Sequence, residues 1–148
     1  MKGKMQSTLP DIQRTVTMDA SIKKVWNAIS TSEGLASWLM PNNFKLEMGY
    51  EFTFQSQPKR GWDGVVHCKV TEIIPLERLG FTWCGGGLEQ YVSFDLVKLE
   101  ENKTQLILVH SGWTEENKML RDVMYDGWGY ITEGLSKKMG DKNGGYLS

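Results

Sequence analysis

The side chains able to do chemistry in this chain are few and scattered. There are two histidines, His67 and His110, and two cysteines, Cys68 and Cys84. His110 shares its strand face with Leu106 and Leu108, whereas His67 alternates against Val66, Cys68 and Val70. In a strand, alternate residues face opposite sides, so the spacing directs His110 inward and His67 outward. No zinc-type ligand spacing arises. Ser111 adjoins His110 in sequence, which is not the convergent geometry of a nucleophile and its base. Glu72 and Asp95 fall at outward or strand-end positions, and no pair of carboxylates set for acid–base work is evident. Gly85-Gly86-Gly87 is not followed by a helix, so it reads as a flexible hairpin connection and not a phosphate cradle. Cys68 faces inward, nothing cationic is evident beside either cysteine, and both thiols are expected to be inert. The residues therefore argue against a self-contained enzyme, and no metal or cofactor is expected.

The elements that must position these residues are legible from periodicity. Asp11 to Met18 reads as a strand. Asp19-Ala20-Ser21 then caps a helix in which Ile22, Val25, Trp26 and Ile29 form one stripe. Ser30-Thr31-Ser32 ends it and opens a second helix carrying Leu35, Trp38 and Leu39, which Pro41 stops. From Phe44 to Ser111 the period is two. Phe52 and Phe54, then Val66, Cys68 and Val70, then Leu79, Phe81 and Trp83, then Val92, Phe94 and Leu96, and last Leu106, Leu108 and His110 supply successive inward faces. Such alternation marks an antiparallel sheet with one covered face. From Glu115 to Met139, Leu120, Met124, Trp128, Ile131, Leu135 and Met139 step by three or four along a long amphipathic helix. Gly127, Gly129 and Gly134 are costly inside it, which implies close backbone approach or vacant room beside it. The fold class is α+β: a curved antiparallel sheet of six or seven strands on a long C-terminal helix. One domain over 11–139 is expected, with flexible segments at 1–10 and 140–148.

Composition narrows the partners. The 148 residues carry 17 Lys+Arg against 18 Asp+Glu, a net charge of −1, so no basic excess faces a nucleic acid or an anionic membrane. Apolar runs are too short to span a bilayer, and no secretory core is evident at the N-terminus. Free thiols in a reducing cytoplasm are the simplest reading of the two cysteines.

Four stretches carry a family resemblance. Ser21-Ile22-Lys23-Lys24-Val25-Trp26-Asn27-Ala28-Ile29, followed by Leu35 and Trp38, resembles a P-x-x-V-W-x-x-[IL]…L-x-x-W opening. Leu79-Gly80-Phe81-Thr82-Trp83 resembles L-x-[FY]-[TS]-W. Thr104 to Trp113 resembles T-x-[LV]-x-[LV]-x-H-[ST]-G-[FW], and Gly127-Trp128 with Leu135 matches G-W…L. In this order they are similar to the branch of the START-like (SRPBCC, Bet v-type) superfamily named for activators of the heat-shock-protein-90 ATPase. The stretches around Met40 and His110 look closest to bacterial YndB-type members. The resemblance implies a helix-grip fold with a ligand cavity between sheet and helix, and a sensing or stress-response setting. The residues agree with such a cavity. Phe52, Phe54, Phe81, Trp83, Phe94 and Leu108 supply an inner sheet wall. Met124, Trp128 and Ile131 face it from the last helix, and Trp38 and Met40 stand at the mouth. His110 and the Trp83 indole are the polar groups available to orient a guest. The expected partner is a small hydrophobic, lipid-like or aromatic molecule. Two alternatives stay open: a module acting on a chaperone ATPase, which rests on the family name, and a cyclase- or hydrolase-type enzyme using His110.

Overall fold

The computed structural model describes residues 8–58, 63–85 and 87–140. Strand β1 (Ile12–Met18) leads to helices α1 (Ile22–Ile29) and α2 (Ser32–Trp38). The capping oxygens fall at the positions expected of them. Ser21 Oγ accepts from Lys24 N at 3.3 Å, and Thr31 Oγ1 accepts from Gly34 N at 2.9 Å. These bonds satisfy backbone donors that the first helical turn leaves free. The Trp38 indole donates to Ala28 O at 2.8 Å and locks the two helices together.

Five more strands follow: β2 (Glu51–Gln55), β3 (Val65–Ile74), β4 (Arg78–Gly85), β5 (Leu88–Glu100) and β6 (Lys103–Ser111). All pairings are antiparallel, and the order across the sheet is β1-β6-β5-β4-β3-β2. The final helix, α3 (Lys118–Gly140), begins after one 3-10 turn at Glu115–Asn117. The arrangement is the expected helix-grip α+β fold, with six strands. The alternating apolar side chains of β2 to β6 and the inner faces of α1 and α2 form one core. Residues 1–7 and 141–148 of the expected flexible segments lie outside the described residues, as does Gly86 of the glycine connection. Next to β1, Leu9 N donates to Trp113 O at 3.0 Å, and Leu9 packs on the core.

The outer face of the sheet holds a charged cluster that strand order alone did not reveal. Glu72 and Asp95 lie on different strands, yet Arg78 joins them. Its guanidinium grips Asp95 through two bonds of 2.6 and 2.8 Å and reaches Glu72 at 3.3 Å. Tyr91 donates to the same Glu72 oxygen at 2.9 Å. That hydroxyl and the Arg78 charge hold the Glu72 carboxyl below its usual range. Tyr91 lies across Gly80, where a Cβ would strike its ring.

Helix α3 is gripped unevenly. Among its 23 residues only Trp128, Thr132 and Leu135 are fully buried, so nothing before Trp128 is. Leu120, expected on the buried stripe, is 41% exposed, and Met124 is half-buried. The stretch before Trp128 is held by polar bonds to β1 and the segment preceding it. Arg14 donates twice to Tyr125 O, at 2.9 and 3.1 Å, with its guanidinium 3.6 Å above the Tyr125 ring. Arg121 donates to Pro10 O at 2.8 Å and Asp11 O at 3.3 Å. Gly129 makes room for this clasp, since a Cβ there would meet Arg14 Nη2 at 2.6 Å.

The three helix glycines therefore differ in cause, because nothing lies within 4 Å of a Cβ added at Gly127 or Gly134. Gly129→Ala should forfeit the roughly 1 kcal/mol of helix propensity that alanine offers, because its methyl group displaces Arg14 from the clasp. Gly127→Ala should instead stabilise the folded monomer by up to about 1 kcal/mol through helix propensity. Urea denaturation of both variants checks the contrast.

Candidate functional site

The structure brings together the inward residues expected at the site. Phe54, Phe81, Phe94 and Leu108 are completely buried, and Phe52, Trp83 and Trp128 are nearly so. Their rings touch in sequence. Phe52 meets Phe54 at 5.3 Å between centroids, Phe54 meets Trp83 at 5.6 Å, and Trp83 meets Trp128 of α3 at 5.6 Å. Phe81 stands 5.7 Å from Phe94, which meets Trp38 at 5.8 Å. Tilted and edge-on contacts at such spacings are favourable beyond the area they bury. Met40 and Ile131 join Met124 as half-buried residues on the margin of this cluster. The space between the sheet and α3 around Trp128 is thus occupied by the protein's own aromatic side chains.

His110 is the polar centre of the cluster and is fully buried. The Trp128 indole N–H donates to its Nδ1 at 3.0 Å. An indole nitrogen can only donate, so Nδ1 carries no proton and Nε2 does. Nε2–H then donates to Gln90 Oε1 at 2.7 Å. The Trp113 indole donates to the His110 carbonyl at 3.0 Å, with the two rings 4.7 Å apart. Burial pushes the His110 pKa down to about 3, because the imidazolium would be stripped of water there. His110 is neutral across the physiological range, and both ring nitrogens are engaged.

Two of these partners are absent from the residues expected at the site. Gln90 continues the inward register of Val92 and Phe94 by one more step, a signal present in the alternation but polar in character. Trp113 is visible in sequence only as the end of a motif, since its inward direction depends on the turn at Gly112, where φ is +100°.

Two open concavities lie elsewhere. Grooves of about 520 Å³ and about 400 Å³ sit on the outer face of the sheet and share Thr82 and Cys84. Neither is lined by a residue of α3. Cys84 lies opposite His67 in the β3–β4 register and is half-buried, while Cys68 is buried and its thiol is raised well above the usual range by desolvation. Among the described residues no three His, Cys, Asp or Glu side chains gather to hold a metal ion. Among them, too, no helix is long and apolar enough to cross a membrane.

Acid stability reports on the His110 pair. An unfolded histidine titrates near 6.5, above the folded value of about 3. The unfolded chain therefore binds the extra proton, and the stability contributed by neutral His110 is complete above the unfolded pKa and lost as pH falls toward 3. This single group should remove about 2 kcal/mol at pH 5 relative to neutral pH. Urea unfolding from pH 7 to 5 should show that slope, and His110→Gln should flatten it.

The comparisons with known proteins agree with this architecture. Residues 19–140 match the family described as activator of Hsp90 ATPase homologue 1-like protein. The solution structure of Bacillus halodurans protein BH1534 is 39% identical, with TM-score 0.72, covering 85% of this chain and 93% of that one. The Aha1 dimer from Colwellia psychrerythraea superposes with TM-score 0.76 at 22% identity, covering 90% and 98% of the two chains. PFC0360w, an HSP90 activator from Plasmodium falciparum, gives TM-score 0.70 at 17% identity, over 86% and 93%. At those lower identities the likeness is one of fold. Among curated proteins, none matches the chain. With a match over most of its length and a helix-grip structure to carry it, the chain belongs to the activator of Hsp90 ATPase homologue 1-like family.

Proposed function

We propose that this protein binds a small hydrophobic, ring-bearing molecule between the inner sheet face and α3. The observation that carries the reading is the pairing of an aromatic interior with a helix that fully buries no side chain before Trp128. An apolar lining with a few placed polar groups is the usual character of a small-molecule site. Here the lining is Phe54, Phe81, Trp83, Phe94 and Trp128, and the polar group is the His110–Gln90 pair. Because the rings touch, a guest enters by displacing side chains. Met40, Met124 and Ile131 at the margin yield most readily, methionine being flexible and polarisable. Entry is under the N-terminal part of α3, where solvent-exposed bonds from Arg14 and Arg121 replace apolar burial. Segments held in that way open at low free-energy cost. Inside, His110 Nε2–H is the donor offered to a carbonyl or phenolic oxygen once Gln90 swings aside.

Titration with a panel of flavonoid-like polyphenols, polyketides and fatty acids, followed by NMR, tests this directly. A true guest should shift the amides of β4 to β6 and of α3 and quench tryptophan emission. Trp128→Ala should weaken it at least tenfold. If no member of the panel perturbs those elements, the reading fails.

A second reading is action on a chaperone ATPase. It is favoured by the family description, by the likeness in fold to the Plasmodium HSP90 activator and by the apolar side chains exposed on α3. A purified Hsp90-type ATPase should then turn over faster with this protein present. An unchanged rate, with no complex in sedimentation, removes the reading.

A further inference from the structure

Helix α3 exposes more large apolar side chains than any other element described. Of the ten such side chains exposed among the described residues, five lie on it: Met119, Leu120, Val123, Tyr125 and Tyr130. Met119 is 84% exposed, Tyr130 81% and Val123 66%. These three share one face with Gly127 and Gly134, stepping by four, four, three and four residues as a helical stripe does. The two glycines have no cause among the described residues, since a Cβ at either would meet nothing within 4 Å. Each nonetheless costs the helix stability relative to alanine. Glu115 and Glu116, in the 3-10 turn just before α3, stand at one end of this face and Lys137 at the other, so it is acidic at one end and basic at the other.

We propose that this face binds a second copy of the same chain, the two α3 helices crossing antiparallel about a point between Asp126 and Gly127. One register pairs every apolar residue of the stripe. Val123 of each copy meets Tyr130 of the other, and Met119 seats over the bare backbone at Gly134. Glu116 meets Lys137, and Glu115 meets Lys138. Gly127 lies at the crossing, where the absence of a side chain lets the helices approach. A two-fold axis needs this kind of self-complementary patch, in which residue i meets j and j meets i. The pattern also selects the occupant. With an acidic end and a basic end the face suits an antiparallel copy, which brings lysines to the acidic end, better than a surface of one sign. The contact runs along about 30 Å of helix at about 1.5 Å per residue. That is small for a stable interface, so the assembly is a reversible one. This inference stands on the outer face of α3 and does not depend on a guest inside.

Sedimentation equilibrium of the full chain, from roughly 1 µM to 1 mM, tests it. The mass should rise from 16.9 kDa toward twice that value, and Tyr130→Asp should hold it at the monomer with an unchanged circular dichroism spectrum. Lys137→Glu should weaken association about tenfold, and adding Glu116→Lys in the same chain should restore it. A chain that stays monomeric throughout, or a dimer indifferent to Tyr130→Asp and to the charge exchange, overturns the proposal.

Discussion

One hydrogen bond across the core, from the Trp128 indole to His110 Nδ1, sets much of what surrounds it. An indole N–H buried without a partner costs about 1–3 kcal/mol, so the tryptophan that anchors α3 needs an acceptor on the sheet. A neutral histidine supplies one, which fixes the proton on Nε2. Gln90 must then turn its oxygen, not its amine, toward the ring. Protonation state, tautomer, amide orientation and helix placement thus follow from a single geometric demand. Thr132 and Leu135, the other fully buried residues of α3, continue the same face one and two turns further on.

The two ends of α3 are attached by different physics. From Trp128 onward the helix is held mainly by excluded water, which is non-directional and cooperative with the rest of the core, with Ser136 Oγ donating to Thr17 O at 2.9 Å beside it. Before Trp128 it is held by guanidinium groups bonded to backbone carbonyls in solvent. Such bonds exchange readily with water and contribute modestly each. The helix is consequently one rigid element with a firm end and a loose end, and its apolar outer residues crowd toward the loose one.

Much of this was legible in the sequence. Alternation identified the inward residues of the sheet, from Phe52 on β2 to His110 on β6, because a two-residue period survives any arrangement of strands. Periodicity failed where burial depends on what stands opposite. Leu120 carries the same spacing as Leu135, yet Leu120 is exposed and Leu135 fully buried, and spacing cannot say which turns of a helix find a surface to pack on. Arg78 could not be joined to Glu72 and Asp95 without the registers of two strand pairs. Gln90 stays hidden because a polar residue at an inward position reads as a strand's end until its partner is known. The glycines of α3 look alike in sequence and prove unlike in space, one set by Arg14 and two by nothing among the described residues.

The recess at Gly129 has a mechanical meaning. Arg14 projects from β1 into a gap that one residue in the helix provides, so sliding α3 along its axis by a single step would drive a side chain into the guanidinium. Translation therefore requires the Arg14 side chain to leave its place on Tyr125. Any motion of the helix's first half must release both the Arg14 clasp on Tyr125 and the Arg121 bonds to Pro10 and Asp11.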